Sequence, residues 1–83
     1  MISLTKSLAK ALAPAVRVNA VAPGFVDSRW TAGQEVYRQR HLELTPLGKV
    51  CSPEDVAEVA LALATSAGMV TGQVVVVDGG RIL

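Results

Sequence analysis

The 83-residue sequence predicts an α/β fold, built as part of a doubly wound parallel sheet. Three observations carry that expectation. A short apolar run, Val16-Arg17-Val18-Asn19-Ala20-Val21-Ala22, stops at Pro23-Gly24, and a loop with a small hydroxyl residue, Ser28, follows it. A second apolar run, Val74-Val75-Val76-Val77, stops at Asp78-Gly79-Gly80. Between the two lies a well-signalled amphipathic helix. Strand, helix, strand is one crossover unit, in which the two strands run parallel.

Residues 2–13 predict a helix, because Leu4, Leu8, Ala11 and Leu12 recur at helical spacing while Lys6 and Lys10 lie elsewhere on its surface. Pro14 marks its end. Its start lacks a cap: Ser3 is followed three residues later by Lys6, not by an acid, so the helix reads as cut rather than begun. Residues 16–22 predict a strand with little room for a polar face, and so one covered on both sides. Pro23 cannot donate to a ladder and ends it. Asn19, in the middle of that run, needs a hydrogen-bond partner and is expected to find backbone in a neighbouring turn.

Residues 28–47 are weakly patterned and predict a short helical insertion, closed by Pro46 and Gly48. Residues 53–66 predict a helix with Ser52 as N-cap, Pro53 at its first position and Glu54 and Asp55 where the helix dipole favours acids. Val56, Val59, Ala60, Leu63 and Ala64 form its apolar face, and Gly68 stops it. Residues 73–77 predict a central strand buried on both faces, because β-branched runs suit that place.

Two parallel strands cannot cover their own edges, so both would present unpaired backbone. That is a physical argument for sheet beyond these residues. A chain this short also buries only about 60–65% of its unfolded surface. The expectation is a single partial domain over 1–83.

Composition excludes several classes. The chain is 51% hydrophobic but 4% aromatic, so its apolar mass is Ala, Val and Leu, which suits helix–sheet packing. A net charge of +1 asks for no polyanionic partner. Arg38-Gln39-Arg40-His41 is the one basic cluster, too small for a nucleic-acid footprint, and reads as a solvated face. His41 has no partner set for a metal. Cys51 is the sole cysteine, which excludes an intrachain disulfide and fits a reduced thiol in the cytoplasm. No run approaches the roughly 18 apolar residues of a membrane span, and Lys6 and Lys10 interrupt any signal-peptide core.

Several segments in sequence order resemble the short-chain dehydrogenase/reductase family, nicotinamide-dependent enzymes of Rossmann fold. They are Leu4-Thr5-Lys6-Ser7-Leu8-Ala9, Arg17-Val18-Asn19, Pro23-Gly24, Ser52-Pro53-Glu54-Asp55-Val56-Ala57, Thr71-Gly72-Gln73 and Val77-Asp78-Gly79-Gly80. Each is weak alone; their order and spacing make the match specific. The resemblance implies the C-terminal part of a Rossmann-like doubly wound sheet. It implies that Pro23 and Gly24 lie beneath the nicotinamide of NAD or NADP, that the Val26 backbone meets the carboxamide, and that Ser28 contacts the carboxamide or pyrophosphate. Glycine suits close approach to a flat ring. Pattern alone favours Pro23-Gly24 as a mere turn and Ser28 as a helix cap; the resemblance reverses that preference. Trp30, Thr31, Val36 and Tyr37 fall where the family covers its substrate, and Asp78-Gly79-Gly80 where it commonly meets another subunit.

No glycine-rich phosphate loop and no Tyr-x-x-x-Lys pair occurs in these residues. Tyr37 meets His41 four residues on, not a lysine, so no residue here is expected to be the family's general acid. The expectation is therefore a piece of an oxidoreductase that interconverts a secondary alcohol and a ketone, inactive alone and completed by an N-terminal Rossmann half in a homo-oligomer. The other reading is a free-standing module that pairs by strand exchange with a second copy or a full-length relative.

Overall fold

The structure is a computed structural model and describes residues 2–27 and 33–81. Its elements are α1 (Ile2–Leu12), β1 (Ala20–Pro23), α2 (Glu35–Leu44), α3 (Pro53–Thr65) and β2 (Val74–Val77). The two strands pair in parallel, with Ala20 beside Val74, Val21 beside Val75, Ala22 beside Val76 and Pro23 beside Val77. The α/β class and the parallel pair are as the sequence predicts.

The α3 start follows from its sequence. Ser52 Oγ accepts from the Asp55 N–H at 3.1 Å, and Asp55 Oδ2 accepts from the Ser52 N–H at 2.9 Å. This reciprocal box satisfies two groups that helix geometry leaves without partners. Pro53 occupies the first turn, where its missing N–H costs nothing.

Several boundaries differ from the expectation. The first strand does not span 16–22; it begins at Ala20 and ends at Pro23. Val16 instead donates its N–H to the Leu12 carbonyl at 2.9 Å, as a continuation of the α1 end. Arg17 and Asn19 are used by their side chains. The insertion 28–47 contains one described helix, Glu35–Leu44, with no side-chain cap at its start. The helices expected over 2–13 and 53–66 end at Leu12 and Thr65, and β2 begins at Val74 rather than at residue 73. Gln73 still serves the ladder through its carbonyl, which accepts from the Ala20 N–H at 2.9 Å.

Arg17 ties the segment before β1 to the far end of α3. Its Nη1 donates to the carbonyls of Leu63 (2.7 Å), Ala67 (3.0 Å) and Val70 (3.3 Å), and Nη2 to Ala64 (3.2 Å). The last turn of α3 holds no basic residue of its own. A guanidinium delivered from elsewhere therefore satisfies its terminal carbonyls and complements the negative end of the helix dipole. Asn19 behaves as expected: its Nδ2 donates to the Val70 carbonyl at 2.9 Å, and its Oδ1 accepts from the Gln73 N–H at 3.1 Å. Together the two side chains fix the segment that leads into β2.

The expectation of strands covered on both faces is not met within these residues. Val76 is 45% exposed, and the buried apolar core among the described residues is Ala9, at 4%. The physical reason is cover: α3 packs on both strands, and the described residues supply no second layer of comparable extent. The molecule measures 45 × 23 × 22 Å with a radius of gyration of 14.8 Å. A compact chain of this length would have about 12 Å. On α1, Thr5 and Ala9 are buried, while Ile2, Leu4, Leu8 and Leu12 stay 40–62% exposed.

Candidate functional site

The parallel register brings the carboxyl ends of β1 and β2 side by side, where doubly wound sheets bind ligands. Two turns leave that edge, Pro23-Gly24 and Asp78-Gly79-Gly80. The Gly24 N–H donates to the Val77 carbonyl at 3.0 Å. A Cβ on Gly24 would stand 2.9 Å from the Asp78 Cβ. Glycine is thus required here by close approach of the second turn. Pro23 and Gly24 are both exposed at the surface of the edge.

The chain then continues beside Cys51. Val26 forms a parallel bridge to Cys51, and the Asp27 N–H donates to the Cys51 carbonyl at 2.8 Å. The Cys51 thiol donates to the Val77 carbonyl at 3.4 Å, so one carbonyl at the end of β2 receives both Gly24 and Cys51. Partial burial pushes the thiol above its ordinary value, and the carboxylates of Asp55 and Asp78 add to this, against Lys49. It is a free, half-buried and poorly ionised thiol. It lines an open cleft of about 240 Å³ with Leu47, Lys49, Val50, Asp55, Val77 and Gly79. The Asp55 carboxyl is held low, first by the Ser52 N–H and then by the Ser52 hydroxyl and Lys49.

In the second turn, Asp78 Oδ1 accepts from the Gly80 N–H at 2.9 Å, while Oδ2 has no hydrogen-bond partner among the described residues. Gly79 has φ +65°, and a Cβ there would fall 2.7 Å from the Thr45 Cγ2, so α2 also reaches this edge.

Of the candidate binding residues, Pro23, Gly24 and Val26 lie together at the edge. Ser28, Trp30 and Thr31 lie outside the described residues. Tyr37 stands on α2, 65% exposed. The basic cluster is not wholly solvated: Arg38 pairs with Asp27 at 3.2 Å and His41 stacks on Phe25. Neither contact has a sequence signal, because each joins residues from different elements. No cluster of metal ligands occurs among the described residues, and no described helix is long and apolar enough to cross a membrane.

A parallel sheet whose carboxyl edge ends in Pro-Gly and Asp-Gly-Gly turns places the chain in the Rossmann-like α/β class that the sequence resembles. A family model described as enoyl-(acyl carrier protein) reductase matches residues 1–81. The chain belongs to the short-chain dehydrogenase/reductase family. It is 51% identical over 83 residues to the 3-oxoacyl-[acyl-carrier-protein] reductase FabG of Aquifex aeolicus, covering 96% of this chain and 34% of that protein. Among solved structures it is similar to a 3-oxoacyl-[acyl-carrier protein] reductase with bound NAD from Brucella melitensis. That likeness has a TM-score of 0.85 and 42% identity, over 99% of this chain and 30% of the other. It is also similar to a small-chain dehydrogenase in complex with NADPH, with a TM-score of 0.86 and 37% identity, over 98% of this chain and 38% of the other. The chain spans about a third of the length of these relatives.

Proposed function

We propose that these residues form the C-terminal part of an NAD(P)-dependent short-chain oxidoreductase, in which they supply the floor of the nicotinamide site, cover for the substrate and subunit contacts. The single observation that carries this reading is the exposed Pro23-Gly24 backbone, held against the Asp78 turn at the common carboxyl edge of two parallel strands. Such an edge fits a planar ring and its carboxamide, which need a flat face and a rigid donor and acceptor. In this reading Pro23, Gly24, Val26 and Ser28 hold the nicotinamide end of the dinucleotide, and Trp30, Thr31 and Tyr37 lie on the substrate side. The bound dinucleotide supplies or accepts the hydride. The names of the relatives favour a 3-oxoacyl thioester as the ketone.

In this reading the phosphate cradle and the Tyr-Lys pair come from an N-terminal Rossmann half, so the 83 residues alone turn over no substrate. The uncovered sheet is consistent with that dependence. The same exposure favours a second reading, in which the chain pairs with a second copy or a full-length relative through its strands; a well-folded monomer in sedimentation contradicts it.

The test is a titration of the full subunit that carries these residues with NADH and NADPH, followed by a steady-state assay with a 3-oxoacyl thioester. Saturable coenzyme binding and reduction to the 3-hydroxy product are expected. A folded subunit that binds neither coenzyme overturns the reading.

A further inference from the structure

The segment that follows Gly24 meets α2 through two pairs of side chains. Phe25 and His41 stack with ring centroids 5.0 Å apart and planes inclined by 23°. Asp27 Oδ2 accepts from Arg38 Nε at 3.2 Å. Arg38 and His41 are three residues apart and therefore share one face of α2. The end of α2 is held elsewhere. The buried Thr45 donates its hydroxyl to the His41 carbonyl and packs beneath Gly79. The Leu47 N–H then donates to the Gly79 carbonyl at 3.1 Å. The helix is thus seated on both turns of the carboxyl edge.

We infer that Phe25 and His41, supported by Asp27 and Arg38, are positioning residues that hold α2, and with it Tyr37, in place for a carbonyl substrate at the Pro23-Gly24 turn. The inference rests on the proposed reading of that turn as the nicotinamide floor. Its physical basis is leverage. Gly24 is pinned on two sides, because its N–H is bonded to the Val77 carbonyl and Asp78 fills the space where a Cβ would stand. Phe25 is the next residue, so α2 moves relative to the floor only if the ring pair separates. The Asp27–Arg38 pair is 51% and 38% exposed, so salt and water screen it and it sets orientation more than strength. The half-buried rings are the stronger hold.

The test compares the full subunit with His41→Ala, His41→Phe and Arg38→Gln variants, by amide hydrogen exchange and by kinetics. In His41→Ala the amides of α2 should exchange roughly two- to tenfold faster, the range an aromatic pair supports, while those of α3 keep their rate. The KM for the carbonyl substrate should rise, with the coenzyme Kd unchanged. His41→Phe, which keeps a ring on Phe25, should restore both, and Arg38→Gln should give a smaller effect that vanishes in high salt. Unchanged α2 exchange in His41→Ala overturns the inference, as does faster exchange with unchanged KM, or an equal loss of protection in α3. If the parent subunit binds no coenzyme, the oxidoreductase reading fails separately, and the exchange rates still decide whether the ring pair seats α2.

Discussion

Gly24 and Asp78, 54 positions apart in sequence, touch so closely that a methyl group on the glycine would fall 2.9 Å from the Asp78 Cβ. The contact joins the two turns that leave the sheet. Gly24 has no positive φ, so its constraint is space alone. Gly24→Ala is expected to cost about 1–3 kcal/mol, the usual penalty of overpacking. Gly24→Val should cost more. Urea unfolding of the full subunit measures it. Asp78→Gly in the Gly24→Ala background should recover part of the loss, because it removes the obstructing Cβ. Strict additivity of the two substitutions would contradict the contact.

Arg17 has no substitute as the cap of α3. Arg17→Met keeps the aliphatic stem and removes four donor contacts to carbonyls of Leu63, Ala64, Ala67 and Val70. Hydrogen bonds to a charged group are worth about 1.5–3 kcal/mol, and a loss in that range is expected. Arg17→Lys should recover less than half, since a single ammonium cannot present the planar fork. The unfolding midpoint checks the size of the effect. Amide exchange checks its place, which should be the last turn of α3.

Much of this was legible in the sequence, and the parts that were not share a physical cause. Ser52, Pro53 and Asp55 act within one helical turn, so their spacing alone announces the start of α3. The four valines and the Pro-Gly stop announce parallel strands for the same local reason. Arg17 shows the opposite case. Its partners lie 46–53 residues away, and the one hint was that α3 has no basic residue in its last turn. The late start of β1 follows, because residues 16–19 serve α1, α3 and the approach to β2 before any ladder forms. The stack of Phe25 on His41 and the contact of Gly24 with Asp78 are products of the fold. The candidate site was half legible: Pro23, Gly24 and Val26 gather at one edge, whereas Cys51 and Asp78 join them only through the crossover.

The capping box gives α3 an acid-sensitive start. Ser52→Ala should cost about 0.5–2 kcal/mol, as for other N-cap losses. The Asp55 carboxyl is held below the ordinary carboxylate range by the Ser52 N–H and hydroxyl. A lowered folded-state value means that this stabilisation is present above about pH 4 and is lost as pH falls through the folded value. Urea midpoints measured from pH 6 downward should therefore fall less steeply for Asp55→Asn than for the parent. Equal slopes would show that the box does not discriminate between charge states.

Site assignments at the edge are separable by coenzyme titration of the full subunit. Ser28→Ala should weaken NAD(P) binding by about 0.5–1.5 kcal/mol, the net size of one neutral hydrogen bond. Trp30→Ala should raise the substrate KM and leave coenzyme affinity almost unchanged, because the proposed reading assigns it to the substrate side. If Ser28→Ala and Gly24→Val both bind coenzyme like the parent, Pro23-Gly24 is a structural turn and the proposed floor lies elsewhere.

Cys51 should be a slow thiol. The thiolate is the reactive form, and three influences oppose it: partial burial first, then the carboxylates of Asp55 and Asp78, with Lys49 the one group that favours ionisation. Alkylation by iodoacetamide near pH 8 should therefore proceed more slowly than that of a free cysteine peptide. Its rate should climb at a higher pH than the peptide's. The substitutions have opposite signs: Asp55→Asn removes a repelling charge and should accelerate alkylation, and Lys49→Met should slow it. The linkage runs the same way. A thiol value raised above 9.0 in the folded state stabilises the fold below that pH and ceases to do so as pH rises through the folded value. The unfolding midpoint of the parent should thus decline on the alkaline side, and Cys51→Ala should remove that part of the decline. A Cys51 that alkylates as fast as the free peptide would show that Asp55, Asp78 and Val77 do not enclose it as described.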